Sequence, residues 1–227
     1  MFWMALACTG PAPVDDTSHT DTALVDTGPD PWTDALDLGA LSGECPLLAH
    51  AWTSDEPSLL LTVLDLDSGF DEGLLSTDGA TVWEAGNLGG SSAESEVVSM
   101  EVLYGCDGAT LVATEADIPY TDEGKKGDLY VEAYGNPMLV SVTRAFNYPD
   151  PEGGVTPDGA AELLDKKVSG LVEATGLLDG DSDRSLLHVL AYGENDTAAV
   201  TAAWETVDHQ GVLLMVTQTD GDDAELY

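Results

Sequence analysis

From Cys45 to the end of the chain, short apolar runs alternate with turn residues, and this rhythm limits the folds open to it. The runs are Leu47–Trp52, Leu59–Leu66, Thr81–Ala85, Val97–Tyr104, Thr110–Thr114, Leu129–Tyr134, Met138–Thr143, Leu186–Tyr192 and Val212–Thr217. Each is rich in Val, Leu, Thr or Tyr, residues that suit a pleated, half-buried surface. Several alternate with period two, as in Leu129-Tyr130-Val131-Glu132-Ala133, where Glu132 faces away from its neighbours. Tyr104-Gly105, Tyr134-Gly135 and Tyr192-Gly193 each precede a polar turn, which reads as reused hairpin chemistry or a degenerate repeat. The expected fold is mainly β, an antiparallel β-sandwich with Trp52, Trp83 and Trp204 as core anchors.

Two segments compete with an all-β reading. Thr156-Pro157-Asp158 pairs a capping threonine with proline at the first helical position. Leu164, Val168, Leu171 and Val172 follow with helical spacing, so one helix is expected near 157–175. Residues 197–210 fit either period. Val200, Ala203, Trp204 and Val207 lie on one helical face, and Val200, Ala202, Trp204 and Thr206 on one strand face. The Thr and Val content favours a strand. Were both segments helical, the C-terminal third would be α+β.

Charge narrows the function classes. The 227 residues include 43 acidic and 6 basic side chains, for a net charge of −37, and no Lys or Arg precedes Lys125. The cations are Lys125, Lys126, Arg144, Lys166, Lys167 and Arg184. Nucleic-acid binding needs clustered cations along a groove, so it is excluded as the expected role, and so is attraction to an anionic membrane surface. A hydrophobic fraction of 43% still allows a sizeable core. No run reaches the roughly 18 apolar residues of a spanning helix.

The N-terminus carries an address. Met1-Phe2-Trp3-Met4-Ala5-Leu6-Ala7-Cys8 is an apolar run ending in a small residue and a cysteine. It resembles the lipobox of bacterial lipoproteins, which implies cleavage after Ala7 and lipid on Cys8. Behind it, residues 9–36 hold four prolines, and Asp16-Thr17, Asp21-Thr22 and Asp26-Thr27 recur every five residues. Such a stretch cannot bury apolar surface and stays extended. It resembles the Asp/Thr-rich tethers of myxobacterial-type surface lipoproteins. Thr9 stands where that resemblance would place an aspartate for inner-membrane retention, which implies the outer membrane, on its periplasmic face or at the cell surface. Residues 37–227 are expected to form the β-rich globular domain, with 148–156 as the place where it would subdivide.

An exported chain passes through an oxidising compartment. There Cys45 and Cys106 are expected to form one disulfide, the alternative being two buried thiols.

Catalytic signatures are sparse. GxSxG, HExxH, GxGxxG and Walker A are absent from the sequence. His50, His188 and His209 are far apart, and no elbow marks a serine as their partner. Carboxylates are the dense chemical group. Asp179, Asp181 and Asp183 alternate as in a calcium loop, which must curl several oxygens around one ion. The EF-hand pattern then breaks, with Arg184 in place of its Gly and Leu190 in place of its bidentate Glu. Looser calcium candidates are Asp65 and Asp67 with Asp71, and Asp220 with Asp222 and Asp223.

Two readings result. The first is a non-catalytic, lipid-anchored envelope protein with a binding or structural role toward a protein or glycan. It needs no cofactor. The second is an extracytoplasmic hydrolase that works through carboxylates, with or without calcium.

Overall fold

The longer apolar runs produce a sheet whose central strands are buried on both faces. The computed structural model describes residues 35–43, 45–46, 48–51, 58–86, 93–147, 153–182 and 184–227. Cys8, most of the tether, Trp52 and Asp183 lie outside the described residues. The strands are β1 (Ala35–Leu36), β2 (Gly39–Gly43), β3 (Leu59–Leu66), β4 (Thr110–Thr114), β5 (Leu129–Ala133), β6 (Asn136–Ala145), β7 (Arg184–Tyr192) and β8 (Leu213–Gly221). The helices are α1 (Leu48–Ala51), α2 (Thr77–Ala85), α3 (Ala93–Asp107), α4 (Pro157–Leu177) and α5 (Gly193–Trp204).

All eight strands join one mixed sheet in the order β1-β2-β3-β8-β7-β6-β5-β4. Its middle is parallel: β3 pairs with β8, β8 with β7, and β7 with β6. Each flank is an antiparallel pair, β1 and β2 beside β3, and β5 and β4 beside β6. The chain runs β6-α4-β7-α5-β8, because parallel neighbours need a crossover and a helix supplies it.

Alternation along the strands divides the core in two. Leu186 and Leu190 of β7, Met215 of β8, Val140 of β6 and Leu64 of β3 face α2 and α3. Leu187 and Val189 of β7, Leu214 and Val216 of β8 and Leu139 of β6 face α4 and α5. The result is a helix–sheet–helix sandwich of mixed α and β structure, in place of the expected antiparallel β-sandwich. Strands buried on both faces read as continuous apolar runs, so they resemble the inner strands of two packed sheets.

The helical corrections have the same cause. Thr81–Ala85 lies in α2 and Val97–Tyr104 in α3, where strands were expected. Twelve of the fifteen residues of α3 are buried, polar ones among them, so it is enclosed on nearly all sides and shows no apolar stripe. Val97, Val98 and Val102 then read as strand residues. Residues 197–210 were expected as a strand; α5 occupies most of them, burying Val200, Ala203 and Trp204 on one side. The α+β alternative for the C-terminal third therefore describes it. The helix expected at 157–175 is α4, capped by the Thr156 hydroxyl, which accepts from Gly159 N–H at 3.1 Å. It buries Ala160, Leu164, Val168, Leu171 and Ala174.

Of the three Tyr-Gly pairs, Tyr134-Gly135 makes a hairpin, with φ of 53° and 76° between β5 and β6. Tyr104-Gly105 lies inside α3. There a Cβ on Gly105 would come within 2.7 Å of both Leu36 and Leu41. Tyr192-Gly193 joins β7 to α5.

Covering both faces has a measurable consequence. Leu187 and Leu190 of β7 are fully buried on opposite sides. Leu187→Ala and Leu190→Ala should each lower unfolding free energy by about 2–5 kcal/mol, measured by denaturant titration. A cost below about 1 kcal/mol for either would mean that its face is open to water.

Candidate functional site

The two domain cysteines are brought together. Cys45 and Cys106 form a disulfide with Cα atoms 5.0 Å apart, within the range this bond requires. Asp107 reinforces the join: its Oδ1 accepts the Leu48 N–H at 2.7 Å and the Tyr134 hydroxyl at 3.2 Å. The end of α3 thereby holds Cys45 through a covalent bond and the start of α1 through the Asp107 side chain.

The acidic stretch at Asp179–Asp183 joins α4 to β7. Its backbone and Ser182 are used for docking. Asp179 N–H donates to Pro119 O at 2.9 Å, and the Asp181 carbonyl accepts from the Tyr130 hydroxyl at 2.7 Å. The Ser182 hydroxyl donates to Arg184 O at 2.9 Å. Asp179 and Asp181 are exposed. The two other acidic stretches meet at the carboxyl ends of β3 and β8, where Asp65 pairs in register with Asp220. Asp71 there accepts from Gly73 N–H at 2.8 Å, and Asp223 from the Thr219 hydroxyl at 2.6 Å. Among the described residues, no three of His, Cys, Asp and Glu assemble as a metal-holding group.

An acidic cavity of about 520 Å³ opens beside α2, lined by Asp37, Asp78, Glu101 and Tyr104 among others. Glu101 is buried on α3, and burial raises its pKa. Its Oε1 accepts both the Ser76 N–H at 2.9 Å and the Ser76 hydroxyl at 2.7 Å. Ser76 in turn caps α2 by accepting from Gly79 N–H at 3.0 Å. Asp78 Oδ2 accepts the Leu111 N–H at 2.8 Å. Glu101 therefore holds the cap of α2, and Asp78 ties the first turn of α2 to β4.

His188 lies in the middle of the sheet and is fully buried. Its Nδ1 is 2.7 Å from Ser99 Oγ, and its Nε2 is 2.7 Å from Thr217 Oγ1. Both ring nitrogens are engaged, so one neutral tautomer satisfies the site. Ser99 is fully buried too, out of reach of any substrate. The Ser–His contact is thus a core linkage between α3, β7 and β8. Its partners lie 89 and 29 residues away along the chain, with no local motif to announce them. His209, the other histidine of the domain with a described side chain, stacks on Trp204 with ring centres 3.9 Å apart.

No family model matches the chain. The "AAC-rich mRNA clone AAC4 protein" of Dictyostelium discoideum is 36% identical over 121 residues. That match covers 51% of this chain but only 18% of the relative's length. The solved structure of Pyrococcus furiosus SfsA in complex with Ca2+ overlaps 55% of this chain and 54% of its own, at 15% identity and a TM-score of 0.29. Neither likeness carries an argument about fold or activity.

The buried histidine makes stability depend on pH. Burial lowers its pKa from 6.5 to about 3. Between these values the unfolded chain binds a proton that the folded one refuses. The histidine's contribution is complete above pH 6.5 and is lost as the pH falls toward 3. Glu96, buried in the first turn of α3, acts in the opposite sense. Desolvation, with Asp128 and Glu115 nearby, raises its pKa from 4.5 to about 8. Its contribution is complete below pH 4.5 and is lost as the pH rises through 8. In an NMR titration of the native state the His188 ring should stay neutral from pH 8 down to pH 4. A His188 midpoint near 6.5 would refute the buried linkage.

Proposed function

We propose that the chain is a lipid-anchored, non-catalytic protein of the bacterial cell envelope. The observation that carries this reading is its thiol accounting. The chain has three cysteines, and two of them are joined in the folded domain. Cys8 is left over, at the one place where the lipobox-like run Met4-Ala5-Leu6-Ala7 asks for a cysteine. A disulfide also suits an exported domain better than a cytosolic one. None of the described helices is long and apolar enough to cross a membrane, and a lipid on Cys8 supplies the attachment instead. The Asp/Thr tether then holds the domain away from the bilayer, where its surface meets a protein or glycan partner.

The polar groups support a binding or structural role over a hydrolytic one. Ser99 and His188 are sealed in the core, and Glu101 is committed to the cap of α2. A carboxylate hydrolase needs acids free to exchange protons with a substrate.

Metabolic labelling with an alkyne-bearing fatty acid tests the anchor in a proteobacterial host. The wild-type chain should take up label and sediment with outer membranes. Cys8→Ser should abolish both, and Thr9→Asp should move labelled protein to the inner membrane. Soluble, unlabelled wild-type protein, or label that persists in Cys8→Ser, overturns the proposal.

A further inference from the structure

The chain has six cations, and four of them line one cavity. Lys125, Lys126, Lys166 and Lys167 surround a space of about 440 Å³ between α4 and the segment leading into β5. Two features of the fold bring these dilysine pairs together. Thr121 N–H donates to Leu177 O at 2.8 Å, and Lys125 N–H to Glu173 Oε1 at 3.3 Å, so residues 121–125 lie along the second half of α4. Asp128 then turns the chain into the sheet, its N–H donating to Val140 O at 2.8 Å and its carboxylate accepting from Val142 N–H. Lys167 Nζ donates to the Val142 carbonyl at 3.2 Å, which holds its ammonium within electrostatic reach of the Asp128 and Glu96 carboxyl groups. Ser141 and Ser169 add hydroxyls to the lining.

The remaining lining residues sharpen the reading. Four lysines and two acids, Asp128 and Glu173, line the cavity, in a protein whose net charge is −37. Asp128 is occupied by backbone hydrogen bonding, and Glu173 by the Lys125 amide. Gly170 also lines the cavity, in the middle of α4, where glycine costs about 1 kcal/mol relative to alanine. A Cβ built on it meets nothing within 4 Å, so packing does not demand glycine there. Its absent side chain leaves the cavity open.

We propose that this cavity binds a small phosphate-bearing anion. Lysine ammoniums act as point charges on a tetrahedral oxyanion, whereas planar carboxylate recognition favours an arginine fork. Both arginines are elsewhere, donating to the Leu226 and Ala51 carbonyls. The exposed acids Asp122, Glu123, Glu162 and Asp165 flank the lysines in sequence and repel an extended polyanion, so the ligand is small. The proposal is independent of the lipid anchor.

The test is calorimetric titration of the full chain with inorganic pyrophosphate, at ionic strength held constant with NaCl. A parallel arm uses vesicles of phosphatidylcholine with phosphatidate. Pyrophosphate should bind with a submillimolar Kd. Lys125→Gln with Lys126→Gln, and Lys166→Gln with Lys167→Gln, should each weaken binding at least fivefold. Gly170→Leu retains every charge, replaces a poor helix former and fills the space, so it should abolish binding while circular dichroism stays unchanged. Binding confined to the phosphatidate vesicles would place the phosphate on an extended anionic surface and overturns the small-ligand reading. No response to either probe beyond matched NaCl, or a response that survives Gly170→Leu and both lysine pairs, overturns it.

Discussion

Four parallel strands at the centre of the sheet can persist only if both of their faces are covered. β7 shows the constraint most sharply: seven consecutive residues, Ser185 to Ala191, are buried, alternating between two separate cores. Each core requires its own helical layer, α2 and α3 on one side and α4 and α5 on the other. The antiparallel pairs at the flanks extend the sheet without adding a crossover. The polar groups that enter the core do so as joints between layers. Ser99, His188 and Thr217 tie a helix to two strands, and Glu101 ties α3 to the cap of α2.

The sequence conveyed local structure where the pattern is local. Leu59–Leu66 alternates cleanly, and β3 occupies those residues. The cap at Thr156 with Pro157 located the start of α4. It failed for α3, because a helix enclosed on nearly all sides loses the stripe that reveals a helix. It failed for α5 because Val and Thr content weighed more than spacing, although Val200, Ala203 and Trp204 carried the correct period. Parallel pairing was hidden for another reason. Leu59 lies opposite Leu214, and no local signal spans that separation.

The candidate sites divide in the same way. The cysteine pair was readable on the expectation of export, because two thiols without metal-ligand spacing have few other uses. The acidic stretches were conspicuous in sequence, yet their carboxylates lie on exposed turns or act as caps and strand-end acceptors. The lysines had been visible as two doublets forty-one positions apart. Only the packing of residues 121–125 along α4 makes them neighbours, so a strongly acidic chain holds a lysine-lined cavity among its described residues.

The disulfide also has a mechanical meaning. β1 and β2 are the first described strands and form one edge of the sheet, so tension entering from the N-terminal side reaches them before any other element. Their hydrogen bonds to one another and to β3 would yield in succession, like a zipper drawn from its end. The opening would stop at Cys45, where the load passes through a covalent bond to Cys106 and into the enclosed helix α3. Tension beyond that point is borne by the buried layer and not by a sheet edge.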